Sequence, residues 1–403
     1  MQFVKSLLQD KKSFLLGLSL GLVLMLTGTL GFNNITNRMR WHGYASPNQK
    51  IMEIMALLDA YSIIPFEREI LLQGMYRGLL EGVGDPYTHY FDPVALEAFH
   101  IRTEGAFVGI GVLVTLESGG RDVLIANVYE DSPAEKAGLR VGDRIISVEG
   151  SDVSNRPLEE ITSLIKGPAG TTVSVVVLRA GDSGIQRIEA KITREQVNIP
   201  TVFSEILPDG TGYIRIEGFD KQTTEQFIAA MQEMKTAYVP GLIVDLRNNP
   251  GGLLDVVVDI SNIFLPPGVI TFTEDVNGNR RYFRADENYI SIPLAVLVNE
   301  RSASASEVFA GAVQDTGVGV LVGEQTFGKG IVQNIFGLSD GSAVKMTVAK
   351  YFTPSGASIH GTGLAPDIVV AMEDGTTSRA GRIDPESDAQ LQAAIEVVWD
   401  MRY

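Results

Sequence analysis

The sequence predicts a multidomain α+β protein, and three observations carry that prediction. An uncharged apolar run, Phe14–Phe32, opens the chain; β-rich runs broken by glycine turns follow Gly105; and strands alternate with apolar helices after residue 191. With 403 residues and 45% apolar composition, the chain can bury more than one core. Its net charge of −16 argues against a nucleic-acid partner, because phosphate binding needs a basic field. The chain has no cysteine, so disulfides and thiolate metal sites are excluded. His42, His89, His100 and His360 show no ligand spacing, and no metal or organic cofactor is expected.

Lys5, Lys11 and Lys12 precede the first apolar run. A helix over Phe14–Phe32 would span roughly 28 Å, close to a bilayer core. The reading is a signal anchor over 1–34 that holds the exported bulk of the chain at the cell envelope, on the periplasmic side. The alternative is a cleaved signal peptide, for which Gly43-Tyr44-Ala45 is a distant site. Gly17-Leu18-Ser19-Leu20-Gly21 matches a nucleophile-elbow pattern by chance, since no polar partners could gather in that run.

Residues 35–104 read as a helical region. Ile51, Ile54, Met55 and Leu58 recur at helical spacing, a second periodic run follows Pro65, and Gly84-Asp85-Pro86-Tyr87 closes the hairpin with turn chemistry. Nothing catalytic is expected there.

From Gly105 the predicted strands are Gly109–Leu116, Val123–Val128, Arg144–Glu149 and Thr172–Arg179. One helix, Pro157–Lys166, carries Leu158, Ile161 and Ile165 on one face. Gly109-Ile110-Gly111-Val112 opens the first strand, and the N–H groups of such a turn can cradle an anion. If that anion is a peptide carboxylate, the peptide can continue as an added strand. These residues, with Ser132–Leu139 and Val141-Gly142-Asp143-Arg144-Ile145 in that order, resemble a PDZ domain of the bacterial type over 105–190. The resemblance implies a groove for peptide C-termini between the strand and the helix.

Residues 191–372 read as an α/β core. Leu242–Leu246 is a strand, Arg247–Gly252 a tight turn and Leu253–Phe264 a helix; Pro293–Val298, a serine corner, Ser306–Gln314 and Val318–Gly323 repeat the arrangement. Asp388–Trp399 reads as a further helix in a tail, 373–403. In the corner, Ser304-Ala305-Ser306-Glu307 is a capping box, so Ser304 is either a helix cap or a nucleophile beside a helix N-terminus. Lys329, between Gly328 and Gly330, is either a solvated strand lysine or a general base. As a base, its pKa must fall from ~10.4 to near 7, which burial can achieve. If the following residues are extended, Gln333 shares its side and can orient the amine. The N–H groups of the Asn249–Gly252 turn could meet that of Ala305 around an oxyanion; the bland alternative is a turn whose glycines only permit tight geometry.

The motifs D-L-R-N-N-P-G-G at 245–252, S-A-S-A-S-E at 302–307, Q-D at 314–315, T-F-G-K-G-x-V-Q at 326–333 and G-x-x-D-P-Y-T-x-Y at 82–90 together resemble the carboxyl-terminal processing proteases. This family joins a PDZ domain to a Ser-Lys peptidase core. The resemblance implies a serine endopeptidase acting through an acyl-enzyme, with Ser304 as nucleophile, Lys329 as general base and Gln333 as its orienting partner. Ala305 and Gly251 (or its neighbour Gly252) would supply the oxyanion N–H groups, and Asp315 a structural role. The rival is a peptide-binding scaffold or chaperone with an inactive core. Expected partners are proteins or peptides with free C-termini, a membrane through the N-terminal segment, and further copies of the chain in a homo-oligomer built by the N-terminal hairpin and tail helix. No motif names an adaptor protein. Gly105 and Gly181 are expected as hinges through which the PDZ domain gates the core.

Overall fold

The computed structural model describes residues 46–117, 122–181, 184–372 and 387–402. The apolar run Phe14–Phe32 lies outside the described residues, among which no helix is long and apolar enough to cross a membrane. The chain divides into two units, at Gly74 and Met75. In the first, α1 (Pro47–Tyr61) starts at Ser46, whose Oγ accepts from Gln49 N at 3.2 Å. This helix buries no residue and leaves Met52, Ile54 and Leu57 exposed. The next helix, α2 (Arg68–Glu81), runs across the division.

In the second unit, β1 (His89–Phe91) precedes α3 (Pro93–Glu104), which Asp92 caps by accepting from Ala95 N at 2.9 Å. Gly105 ends α3 with φ 67°, and a Cβ there would lie 2.4 Å from Asp220 Cγ. The residue sits in a close-packed joint between α3 and β2, where a side chain would not fit.

The middle region comprises β2 (Ala106–Gly109), β3 (Val112–Leu116), β4 (Val123–Val128), α4 (Pro133–Lys136), β5 (Arg144–Val148), β6 (Ser151–Asp152), α5 (Leu158–Ile165), β7 (Thr172–Gly181), β8 (Gly184–Thr193) and β9 (Glu195–Asn198). Its main sheet has the order β3-β4-β5-β7-β8, with β6 on β5, around Ile125, Val148, Ile161, Val175 and Val177. The strand expected over Gly109–Leu116 is two strands in different sheets: β2 pairs with β9, and β3 with β4. The chain breaks at Gly111 (φ 83°), where a Cβ would come within 2.2 Å of Ser132 Cβ. Gly181 pairs with Gly184 at the tip of the β7–β8 hairpin, so the second expected hinge is at no domain joint. The boundary expected at 190 falls inside β8, and the chain leaves this region only after β9 has returned beside β2.

The remaining elements are β10 (Val202–Ile206), β11 (Gly212–Ile216), α6 (Thr223–Thr236), β12 (Leu242–Asp245), α7 (Leu254–Asn262), β13 (Gly268–Asp275), β14 (Arg280–Ala285), β15 (Leu294–Val298), α8 (Ala305–Thr316), β16 (Val320–Gly323), β17 (Ile331–Gly337), β18 (Ala343–Phe352), β19 (Ile368–Val369) and α9 (Ala389–Asp400). A six-stranded sheet, β10-β11-β12-β15-β16-β19, is parallel except for β10 against β11. Every residue of β12 and β15 is buried, as a strand covered on both faces requires. Phe227, Phe264 and Phe309, from α6, the end of α7 and α8, meet edge to face on one side.

On the other side α9 packs Leu391, Ala394 and Val398 against Ile243, Ala295 and Leu297. Buried Arg247 bonds Asp245 and also Asp388, which caps α9. Burial alone would lower the Arg247 pKa, but Asp245 and Asp388 outweigh it and hold the guanidinium charged. The tail helix expected as an assembly element therefore directs its apolar face into its own core.

A second sheet has the order β1-β18-β13-β14, with β17 on β18. It takes in β1, with His89 opposite Lys345 and Phe91 opposite Ala343. That pairing brings the turn at 85–88 beside β18.

Candidate active site

Strands β12 and β15 run parallel in register, Asp245 opposite Leu297, so the turns at their carboxyl ends lie side by side. Hydrogen bonds staple them. Ser302 Oγ donates to Leu246 O (2.8 Å), Asn248 N to Asn299 Oδ1 (2.9 Å), Ala303 N to Asn249 O (3.0 Å) and Ser306 Oγ to Asn249 O (3.0 Å). Held this way, Ser304 takes φ 58° and ψ −114°, a strained conformation for a residue with a Cβ. Its hydroxyl makes no cap hydrogen bond to α8; Glu307 N donates instead to the Ser304 carbonyl at 2.9 Å. The half of the capping box that does form runs from Ser304 N to Glu307 Oε2 (2.9 Å).

Gly251 (φ 97°) lies directly under this corner. A Cβ there would be 2.6 Å from Ala303 O and 2.8 Å from both Ala305 N and Ser304 Cβ. The first-turn N–H of Ala305 has no acceptor among the described residues. The Gly251 N–H, expected as its companion, donates to Asn249 Oδ1 at 2.8 Å, because Asn249 folds back on its own turn. Gly252 is wedged against Phe219, where a Cβ would meet the carbonyl oxygen at 2.0 Å.

Fully buried Glu307 also governs the lysine loop. Its Oε1 accepts from Thr326 Oγ1 (2.6 Å) and Gly328 N (2.7 Å), and its Oε2 from Lys329 N (2.8 Å) as well as Ser304 N. One carboxylate thus fixes the backbones of both residues. Tyr351 repeats the link from another side, its hydroxyl bonding Ser304 O at 2.9 Å and Lys329 O. Burial raises the Tyr351 pKa well above its usual value, so the phenol keeps the proton it donates.

Lys329 is half-buried, and desolvation lowers its pKa against the opposing pull of Glu307 and Asp85. No hydrogen bond joins Lys329 Nζ to the Ser304 hydroxyl among the described residues; the amine rests over the Tyr87 ring, 5.1 Å from its centroid. Gln333 does not reach this place by simple strand alternation. Lys329 precedes β17, and the ladder shifts between Val332 and Gln333. What brings the two together is Tyr87, whose carbonyl accepts from Gln333 Nε2 at 2.5 Å.

The other expected residues lie apart from this cluster in role. Asp315 Oδ2 accepts from Ser355 N at 2.8 Å, and His360 is exposed, its backbone packed against Gly330. Gly109, Ile110, Gly111 and Val112 line an apolar groove together with Phe107, Thr162, Ile165 and Lys166. Its walls are β3, an edge strand of its sheet, and α5. Among these residues Ile110 turns its side chain into the core, at 1% exposure. Sequence reasoning missed Tyr351 and treated Glu307 only as a capping residue. It left Tyr87 in a structural turn, although that tyrosine lies within the D-P-Y-T segment noted as a motif.

Residues 210–370 match Peptidase family S41 and residues 124–179 a PDZ domain. A chloroplastic C-terminal processing peptidase of Tetradesmus obliquus is 38% identical over 325 residues, 77% of this chain and 70% of that protein. A carboxyl-terminal-processing protease of Synechocystis is 36% identical over 325 residues, 79% of this chain and 75% of that one. The solved photosystem II D1 C-terminal processing protease is 35% identical, covering 79% of this chain and 86% of its own, with a TM-score of 0.46. The chain belongs to the PDZ-containing carboxyl-terminal processing proteases of family S41, and is a serine peptidase.

Proposed function

We propose that Ser304 is the nucleophile and Lys329 the general base of an endopeptidase that captures a protein C-terminus in the PDZ groove. The observation that carries this assignment is the shared Glu307 carboxylate, which accepts from the backbone N–H of both residues. The lysine amine, held beside the Tyr87 ring, removes the Oγ proton as the acyl-enzyme forms and returns it to the leaving amine; water then hydrolyses the ester. The Ala305 N–H receives the oxyanion, with a second donor from the Gly251-Gly252 turn. The substrate tail adds to β3, its carboxylate at Gly109–Val112 and an apolar side chain against Phe107 and Ile165.

Phe14–Phe32 supports export with a membrane anchor, and on that reading the peptidase faces the periplasm from the cell envelope. A homo-oligomer rests on the exposed apolar residues of α1 alone, and sedimentation of the full chain at two concentrations tests it. For the chemistry, the full chain is assayed on a quenched-fluorescence peptide with a free apolar C-terminus. Ser304→Ala abolishes cleavage while tail binding persists; cleavage that survives the substitution refutes the nucleophile assignment, and a wild-type chain that binds the tail without cutting it favours the scaffold reading.

A further inference from the structure

The turn at Asp85–Thr88 lies far from the dyad in sequence, yet it touches both Lys329 and Gln333. We propose that Tyr87 is a positioning residue of the active site: its ring carries the Lys329 amine and its carbonyl fixes the Gln333 amide. The proposal deepens the assignment of Lys329 as general base and rests on it.

Geometry supports the two halves separately. An ammonium or amine 5.1 Å from a ring centroid sits within reach of the ring's negative face. The Tyr87 carbonyl can only accept, so the Gln333 atom 2.5 Å away is the amide nitrogen. With its donor end committed, Gln333 presents an acceptor, Oε1, as the group an amine can bond. The turn itself is anchored. The Asp85 carboxylate accepts from Thr88 Oγ1 (2.6 Å), Thr347 Oγ1 (2.7 Å) and Tyr87 N (3.0 Å), and β1 pairs with β18 directly afterwards. Burial pushes the Asp85 carboxyl up, but the bonds from Thr88, Thr347 and Tyr87 outweigh it and hold it below the usual range. Asp85 therefore stays an acceptor at neutral pH, and the tyrosine is held from behind.

The ring acts on the amine in two opposed ways. Its face attracts the charged form, while its bulk excludes water, which disfavours charge. Desolvation is the largest influence on Lys329 and its net effect is a lowered pKa, so losing the ring should return the amine toward ordinary lysine behaviour.

The test uses the full chain with the quenched-fluorescence peptide. Tyr87→Ala should lower kcat about 10²-fold, the scale of a misplaced catalytic group, with KM held within about threefold. The ascending limb of its pH–rate profile should move to higher pH. Tyr87→Phe, which keeps ring and carbonyl, should restore kcat to within about threefold of wild type. Should Tyr87→Ala lower the melting temperature, Thr347→Val loosens the turn without altering the ring and should lower kcat by about tenfold at constant KM. A Tyr87→Ala enzyme with wild-type kcat and an unmoved limb overturns the proposal, as does a Tyr87→Phe enzyme as slow as Tyr87→Ala. Lys329→Ala, run alongside, separates the two claims: if it remains active, the base assignment fails whatever Tyr87 does.

Discussion

Two glycine turns serve the two working regions, and the contrast between them is instructive. Gly111 and Gly251 both have positive φ, and at both a Cβ would collide with neighbours, at 2.2 Å from Ser132 Cβ and 2.6 Å from Ala303 O respectively. The first turn opens onto an edge strand and an apolar groove, where backbone and surface remain available to a partner. The second is pressed beneath the protein's own serine corner and tied by Asn249 to its neighbours. Binding an extended peptide requires an incomplete sheet. Acyl transfer requires donors that cannot move, and close packing supplies that rigidity.

Substitutions can break or sharpen the contrast. Ser304→Ala should reduce kcat by roughly 10⁴-fold or more while leaving the affinity of a labelled tail peptide, read by anisotropy, unchanged. Gly251→Ala should cost about 10²–10³-fold in kcat by forcing Ala305 N and Ser304 away from the reacting position. Circular dichroism should show the fold retained; a Gly251→Ala enzyme of normal rate would remove the turn from the catalytic site. In the groove, Phe107→Ala should raise KM about tenfold with kcat little changed, and a matching fall in kcat would mean that the two regions are not separable in this way.

The pH dependence gives smaller effects. With Lys329 as the proposed base the neutral amine is the reactive form, and its pKa is lowered, so kcat/KM should rise with pH along a limb lying below the ordinary lysine value of 10.5. For Asp85 the folded pKa is depressed below 3.8, so its contribution to stability is complete above that value and is lost as pH falls through the folded pKa. Urea midpoints should therefore drop more steeply on acidification in the wild type than in Asp85→Asn.

Much of the candidate site was legible locally. Ser304, Ala305 and the Asn249–Gly252 turn are readable because strand–turn–helix chemistry is confined to adjacent residues, and β12 and β15 announce themselves as continuous apolar runs. The second sheet was not legible. Strands β13, β14, β17 and β18 mix polar and apolar residues without a clean period, since their burial is set by partners distant in the chain. The hinge expectations part for a related reason: Gly105 and Gly181 look alike in sequence, while one lies at a joint against Asp220 and the other sits at a hairpin tip, away from any joint.

By itself the sequence determined which residue types could do the chemistry, the order of the PDZ and peptidase regions, and the tight strand-to-helix corner that carries Ser304. Tertiary structure decided that one buried carboxylate holds Ser304 and Lys329 together, that the Gly251 N–H is engaged by Asn249, and that Tyr87 meets Lys329 and Gln333. The physical reason is range. Backbone turns and caps are written by neighbours, whereas desolvation and hydrogen-bond partners of a buried group are set by whichever distant segments the fold packs around it.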